Sequence, residues 1–274
     1  ASRLYAEVNM HTQIELKNEG AIARIILRGE KGVQILSAET RRQLLTVVDD
    51  VSRADCSVVV FAAEGRTFIA GASIDELRML DEIGALHDSR AGQRLMNAIE
   101  ALPQTTIAAI HGACAGGGTE LVLACDLRFA SDDSLFSIPA ARLSISYRLD
   151  FMVWLSAIIG EARTREMLIT AKRYKAEEAA AIGLVHQIAP VAEFEAAFEK
   201  YIAPIKENAP LSMMASKQML NAIADNILTP IDREKLKADH QQMHKDAQQM
   251  HKDRQQTHKD RQQLHKDEKA ARKK

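Results

Sequence analysis

Two short segments near the start of the chain alternate apolar and polar residues, which is the pattern of half-buried β-strands. The first is Ile14-Glu15-Leu16-Lys17, and the second runs from Ala21 to Leu27 and becomes continuously apolar towards its end. Asn18-Glu19-Gly20 separates them with residue types that favour turns. The pattern predicts a hairpin of two strands at the beginning of the fold.

A helix and a buried strand follow the predicted hairpin. Ser37 is a favourable N-cap residue, and apolar residues recur at helical spacing from Leu44 to Val51. The β-branched segment at 57–63 has the composition of a strand buried on both faces. The order strand, strand, helix, strand predicts a mixed α/β fold.

Three consecutive glycines, Gly116 to Gly118, lie between an apolar segment at 106–110 and an apolar, helix-favouring segment at 121–124. This order predicts a strand, a glycine turn and the start of a helix. The first helical turn presents unpaired amide N–H groups and the positive end of the helix dipole, so it can hold a developing negative charge. Glu120 would place a carboxylate beside that charge.

Two plainer interpretations of the glycine triplet stay open. The glycines can serve only as a tight connection, and the dipole by itself favours a Glu in the first helical turn. A phosphate-binding loop is excluded, because no Gly-Lys-Ser/Thr follows the glycines.

A second cluster of small residues, at 65–77, lies where a strand should end and a helix begin. Ser73 is placed to cap a helix over 75–80. The backbone N–H of Ala72 would be exposed at such a corner. The pattern further predicts helices over 85–101, 153–159, 163–170, 176–181, 194–201 and 211–227, with strands at 106–110 and 185–188.

Composition and charge disfavour several classes of protein, among them nucleic-acid-binding and membrane-spanning proteins. The chain of 274 residues has a formal net charge of -1, which does not favour nucleic acid as a partner. Its three cysteines have no metal-like spacing, and their odd number predicts a reduced, cytoplasmic protein. No apolar segment has the length of a membrane span. Residues 1–9, which precede an internal Met10, are interpreted as an expression leader.

Several motifs, taken together, resemble the enoyl-CoA hydratase/isomerase (crotonase) superfamily. In chain order they are Phe68-Ile69-Ala70-Gly71-Ala72-Ser73-Ile74, Gly116-Gly117-Gly118-Thr119-Glu120-Leu121, Ala124-Cys125-Asp126-Leu127-Arg128 and Ile182-Gly183-Leu184-Val185. Each motif is weak alone, but their order and spacing over residues 10–226 make the resemblance specific. It implies a spiral of strand-strand-helix units over 10–200, and a helical region at 201–232 that packs trimers or pairs of trimers.

The resemblance also implies a substrate and a site. Family members act on acyl-CoA thioesters, so coenzyme A enters as part of the substrate, and we expect neither a further cofactor nor a metal. By position, the backbone N–H groups of Ala72 and Gly117 would bind the thioester oxygen. The substrate would lie along Gln34-Ile35-Leu36 and Ala70-Gly71-Ala72-Ser73-Ile74, with Gly116 beside it.

The chain departs from the family pattern at the second catalytic acid. Family hydratases pair Glu120 with a glutamate at the position of Ala140, and alanine cannot transfer a proton. Asp150 and Tyr147, in the segment that replaces the expected glycine-rich loop, are candidate substitutes. Asp150 is equally well explained as the cap of a helix that begins at Phe151, and Tyr147 as a packing residue.

Three functions are therefore open: a hydratase, an isomerase that uses one carboxylate, and an acyl-CoA-binding protein without activity. The retained Glu120 disfavours the third, because a carboxylate buried near an acyl chain is costly unless it is used. We predict an enoyl-CoA hydratase that uses Glu120 as acid and base, acts in the cytoplasm, and assembles as a homotrimer or hexamer.

Residues 233–274 form a charged repeat. The unit Gln-Gln-Met-His-Lys-Asp at Gln241 recurs with small changes every seven residues, at Gln248, Gln255 and Gln262. One apolar residue per repeat is too few for an ordinary coiled coil, so the segment is interpreted as a solvated helix, a weak assembly stripe or an artefact of expression. His240 and His244 have the spacing of a helical metal chelate, but we assign no metal site.

Overall fold

A computed structural model of the protein describes residues 12–228 of the chain. Its strands are β1 (Thr12–Glu19), β2 (Ile22–Gly29), β3 (Val58–Glu64), β4 (Thr67–Ile69), β5 (Thr105–Ile110), β6 (Ala113–Ala115), β7 (Leu127–Ser131), β8 (Leu135–Ser137), β9 (Arg173–Lys175) and β10 (Gln187–Ala189). Its α-helices are α1 (Ala38–Ser52), α2 (Ile74–Arg78), α3 (Glu82–Glu100), α4 (Gly117–Ala124), α5 (Ala140–Leu143), α6 (Leu149–Ile159), α7 (Glu161–Thr170), α8 (Ala176–Ala181), α9 (Phe194–Glu207) and α10 (Pro210–Leu228). Of the described residues, 12–210 form one compact unit, and 211–228 belong to a second.

The larger sheet has the strand order β1-β2-β3-β5-β7-β10. β1 and β2 form the predicted antiparallel hairpin, in which Thr12 pairs with Gly29 and Glu19 pairs with Ile22. From β2 onward each neighbouring pair of strands is parallel. The hairpin prediction is confirmed, and the hairpin forms one edge of a mainly parallel sheet.

The smaller sheet has the strand order β4-β6-β8-β9. β4, β6 and β8 follow β3, β5 and β7 directly in the chain, and they pair in parallel with one another. β9 is antiparallel to β8. Each successive turn of the chain therefore places one strand in each sheet and then enters a helix, which confirms the spiral of strand-strand-helix units.

Alternate residues of β3 enter two separate hydrophobic clusters. Val59 and Phe61 are fully buried among apolar side chains of α1, α3 and α4. Val58 and Val60 are fully buried on the opposite face, against residues of α9 such as Phe198. A parallel strand covered on both faces explains why the segment is continuously apolar rather than alternating.

Two predicted helix caps are confirmed. The Ser37 hydroxyl accepts a hydrogen bond from the Thr40 N–H at the start of α1, at 3.1 Å. The Ser73 hydroxyl accepts one from the Glu76 N–H at the start of α2, at 3.3 Å. Within residues 12–228, no helix has the length and hydropathy that a membrane span requires.

Other elements differ from the predictions. β4, β6, β8 and β9 have three residues each, and α5 has four, so they are too short to produce a periodic signal. α6 begins at Leu149, ahead of the predicted start at 153, and Arg148 occupies its N-cap position. The interpretation of Asp150 as the cap of a helix beginning at Phe151 is therefore wrong, because Asp150 already lies inside the helix.

The glycine turn packs directly against β4. A Cβ atom on Gly118 would lie 2.6 Å from the carbonyl oxygen of Ile69 and 2.8 Å from its Cβ. These separations are well below the 3.5–4.0 Å at which non-bonded carbon atoms attract one another. Only glycine lets α4 approach β4 this closely, so the contact fixes the first turn of α4 next to the end of β4.

We expect Gly118→Ala to lower the free energy of unfolding by about 1–3 kcal/mol, because the added methyl group must push two packed segments apart. Gly92→Ala, inside α3, is the matched control. A Cβ at Gly92 would meet Arg148 Nη1 at an ordinary contact distance of 3.7 Å, and alanine favours a helix by about 1 kcal/mol over glycine. Urea denaturation measures both variants, and a Gly118→Ala variant as stable as the wild type would contradict the packing.

Candidate active site

The glycine triplet forms a turn between β6 and α4. Gly116 has a φ of 55°, in the left-handed region that favours glycine, and its N–H donates to the Ser137 carbonyl at 2.8 Å. The Thr119 hydroxyl lies 3.1 Å from the Cys114 carbonyl oxygen and 3.2 Å from that of Ser137. Because α4 begins at Gly117, the amide of Gly117 has no acceptor within the helix.

The corner after β4 is held by backbone hydrogen bonds to the segment before α1. The Ala70 N–H donates to the Gln34 carbonyl, and the Leu36 N–H donates to the Gly71 carbonyl, both at 2.8 Å. In the part of the chain that the structure describes, no hydrogen bond is recorded from the Ala72 N–H. The two segments that the family resemblance assigns to coenzyme A are thus joined side by side.

A cavity of about 470 Å³ is lined by both of these corners. The predicted site residues in its wall are Leu36, Ala70, Gly71, Ala72, Ile74, Gly116, Gly117, Glu120 and Tyr147. Much of the remaining wall is apolar and comes from Leu77, Leu80, Ala85, Met96, Leu143 and Ile145. The cavity therefore combines an apolar wall with a small number of polar groups, as small-molecule sites do.

Three predicted site residues are not among the described residues that line this cavity: Gln34, Ile35 and Ser73. The Gln34 side chain is buried and accepts a hydrogen bond from the Thr67 hydroxyl at 2.8 Å. The Ile35 N–H donates to the Thr12 hydroxyl at 2.9 Å, and the Ser73 hydroxyl caps α2. These contacts hold the backbone on either side of the cavity in position.

Glu120 is buried, with 6% of its surface exposed, in the first turn of α4. Its carboxylate forms an ion pair with the Arg148 guanidinium. Arg148 Nη1 also donates to the Ser89 carbonyl of α3 at 3.3 Å. Arg148 is not recognisable from the sequence as a partner of Glu120, because it lies 28 residues away and no local pattern marks the pairing.

A second ion pair in the cavity wall joins Arg41 of α1 to Asp88 of α3. Arg41 lies on the buried face of α1, in the same stripe as Leu44 and Val48. A charged residue in an otherwise apolar helical stripe is the sequence signal that marks Arg41.

The segment before α6 and the start of α5 complete the wall. The Tyr147 ring packs on Phe151 with centroids 4.6 Å apart, and its hydroxyl lies 3.1 Å from the position that a Cβ on Gly116 would take. Burial raises the pKa of the Tyr147 phenol, and the charge of Glu120 raises it further, so the hydroxyl keeps its proton at neutral pH. Ala140 also lines the cavity, whereas the side chain of Asp150 lies outside the described residues.

A second cavity, of about 350 Å³, lies beside α9 and contains none of the predicted site residues. Its Arg24 side chain is paired with Glu19 and Glu199. Among the residues that the structure describes, no group of three or more His, Cys, Asp or Glu side chains is arranged to hold a metal ion. His240 and His244 lie outside the described residues. The candidate active site is therefore the cavity that contains Glu120.

Comparisons with known proteins all point to one family. Residues 17–268 match the sequence model of the enoyl-CoA hydratase/isomerase family. A short-chain-enoyl-CoA hydratase of Clostridium acetobutylicum is 28% identical over 208 residues, which cover 75% of this chain and 80% of that protein. A peroxisomal Delta(3,5)-Delta(2,4)-dienoyl-CoA isomerase of Arabidopsis thaliana is 31% identical over 179 residues, which cover 61% and 64% of the two chains.

The fold agrees with the sequence comparison. A 1.8 Å crystal structure of an enoyl-CoA hydratase from Bacillus anthracis has a TM-score of 0.75 and 29% identity, over 86% of this chain and 89% of that one. The family match covers most of the sequence. The motifs that resemble the family lie in the spiral of two sheets. This chain belongs to the enoyl-CoA hydratase/isomerase family and is an acyl-CoA enzyme of the crotonase superfamily.

Proposed function

We propose that this chain adds water across the double bond of a 2-enoyl-CoA thioester. The observation that carries the proposal is that the buried carboxylate of Glu120 shares one cavity wall with the backbone of Ala72 and Gly117. The relative from Clostridium acetobutylicum that is named a short-chain-enoyl-CoA hydratase supports the choice of reaction. Coenzyme A arrives as part of the substrate, so the reaction needs no separate cofactor.

In the proposed complex the thioester oxygen accepts hydrogen bonds from the Ala72 and Gly117 N–H groups. Attack at the β carbon moves an electron pair towards this oxygen, which then carries negative charge. One such backbone donor stabilises the transition state by roughly 2.7–4 kcal/mol. The pantetheine and adenine portions lie along 34–36 and 70–74, where main-chain groups supply the contacts.

Glu120 carries out both proton transfers. Its carboxylate accepts a proton from the bound water, and the resulting hydroxide forms a bond to the β carbon of the enoyl group. The electron pair of the double bond shifts to give an enolate at the thioester. The protonated Glu120 then donates its proton to the α carbon, which restores the carboxylate and leaves a 3-hydroxyacyl-CoA.

A second candidate function is the isomerisation of a 3-enoyl-CoA, and the observation that favours it is Ala140. Alanine at the position of the second family acid leaves Glu120 to act alone, and an isomerase needs only one base. Glu120 would remove a proton from C2 and return it to C4, while the double bond moves into conjugation with the thioester. The Arabidopsis relative named a dienoyl-CoA isomerase is compatible with this chemistry.

We also propose that copies of the chain assemble as trimers or pairs of trimers and act in the cytoplasm. α10, taken by itself, exposes Leu220 at 65% and Ile223 at 52%. Burial of such apolar surface between copies would stabilise an assembly.

Sedimentation of the full chain tests the proposed assembly. We expect a trimer or a hexamer, and a monomer at assay concentration would contradict the proposal.

We expect Glu120→Gln to lower the turnover number for a short 2-enoyl-CoA by about 10²–10⁴, because the amide cannot accept the proton of water. Loss of the conjugated-thioester absorbance measures hydration. A 3-enoyl-CoA run in parallel measures isomerisation as a gain of the same absorbance. Glu207→Gln, at the exposed end of α9, is the matched control and should leave both rates unchanged.

The assay separates the open functions. Loss of the 2-enoyl signal that depends on Glu120 supports the hydratase. Conjugation of the 3-enoyl substrate without hydration would replace the hydratase with the isomerase. Binding of acyl-CoA without either reaction would leave an acyl-CoA-binding protein and contradict both enzymatic proposals.

Tyr147 gives a pH-dependent test of the environment around Glu120. The raised pKa of its phenol means that, above the ordinary tyrosine value of about 10, the unfolded chain loses this proton before the folded chain does. The folded chain then binds more protons, so the free energy of unfolding falls as pH rises. We expect Tyr147→Phe to remove part of this fall between about pH 9 and pH 11 in urea titrations. Parallel stability curves for variant and wild type would contradict the raised pKa.

A further inference from the structure

The ion pair between Arg148 and Glu120 forms part of the wall of the candidate active-site cavity. The Glu120 side chain is 8% exposed and the Arg148 side chain 21%. The hydrogen bond from Arg148 to the Ser89 carbonyl fixes the guanidinium against α3 as well. Arg148 therefore contacts both α4, through Glu120, and α3, through Ser89.

Because the pair is buried, the contact with Arg148 strongly affects whether Glu120 is charged or neutral. A carboxylate removed from water favours its neutral form, whereas a guanidinium in direct contact favours the anion. Among the described residues, the other ionisable groups in the cavity wall are Tyr147, which keeps its proton, and the Arg41–Asp88 pair. Asp150 follows on α6, with its side chain outside the described residues.

We propose that Arg148 is a positioning residue that holds Glu120 as an oriented anion, so that each reaction cycle begins with the carboxylate accepting a proton. The inference rests on the proposed role of Glu120 in proton transfer, but not on the addition of water. It fits the presence of Ala140, because the chain has no carboxyl group at the second family position from which to start by donating a proton.

The proposed role of Arg148 can be tested with a partial reaction of Glu120 that requires neither water addition nor a double bond. The carboxylate can accept a proton from the α carbon of a saturated acyl-CoA. The electron pair of the broken C–H bond then forms an enolate, whose oxygen lies at the Ala72 and Gly117 N–H groups. Return of the proton, after exchange of the Glu120 hydrogen with solvent, restores the thioester with solvent hydrogen at its α carbon.

The experiment follows deuterium incorporation at the α carbon of hexanoyl-CoA in D2O by mass spectrometry. We expect exchange with the wild type, and a loss of about 100-fold in both Glu120→Gln and Arg148→Met. Arg148→Lys retains the positive charge and should keep most of the activity. Arg142→Met, at an exposed position of α5, removes a nearby arginine outside the cavity and should have no effect.

The pD profile separates positioning from a general loss of structure. Removal of the positive charge makes the carboxylate harder to ionise, so the acidic limb of the exchange rate should move to higher pD in Arg148→Met and stay close to the wild type in Arg148→Lys. Thermal melting confirms that each variant is folded. Arg148→Gln is the second neutral variant, and Glu120→Gln/Arg148→Met should exchange no more slowly than Glu120→Gln alone.

Several results would overturn the inference: no exchange in the wild type, exchange that survives Glu120→Gln, an unmoved acidic limb in both neutral variants, or equal losses in Arg148→Lys and Arg148→Met. Exchange that depends on Arg148 in a chain that does not hydrate 2-enoyl-CoA would support the inference and contradict the hydratase proposal. Hydration without α-hydrogen exchange would support the hydratase proposal and contradict the inference about Arg148.

Discussion

The contact between Gly118 and Ile69 is the constraint on which the candidate active site depends. It brings α4 against β4 more closely than any residue with a side chain permits. That approach places the first turn of α4 beside the corner that follows β4, so the Gly117 and Ala72 amides line one cavity. Glu120 lies in the same first turn of α4, three residues after Gly117, and its position follows from the same contact. The parallel pairing of β4, β6 and β8 supports this arrangement, because successive turns of the spiral deliver both corners to the same side.

The second feature of the site is the way charge is distributed in it. Both carboxylates in the described cavity wall, Glu120 and Asp88, are paired with arginines. A hydratase with two free carboxylates can divide the base and acid roles between them, whereas in the reaction proposed for this chain one paired carboxylate performs both. The protonated Tyr147 hydroxyl beside Gly116 adds a neutral donor rather than a second acid. The electrostatics thus favour chemistry that begins with proton abstraction.

Local signals in the sequence were sufficient for much of the fold and for part of the site. The alternating hairpin, the caps at Ser37 and Ser73 and the glycine turn depend on neighbouring residues, so their patterns are visible in the chain. The three-residue strands depend on partners far away in sequence and leave no periodic trace. Arg148 was missed for the same reason, since its pairing with Glu120 exists only in the folded chain. The expected cap at Asp150 was wrong because α6 starts earlier, at Leu149, and its N-cap residue Arg148 makes no side-chain capping hydrogen bond and gives no capping signal in the sequence.

We infer that the thioester oxygen binds between the Ala72 and Gly117 amides, with the reacting carbons of the acyl group beside Glu120. A crystal structure of the chain with a non-reactive 2-enoyl-CoA analogue would show where the acyl group lies. We expect the analogue oxygen about 2.7–3.1 Å from both amide nitrogens, and the α and β carbons next to the Glu120 carboxylate. An acyl group bound outside the cavity that contains Glu120, or one whose oxygen contacts neither amide, would rule out this binding mode.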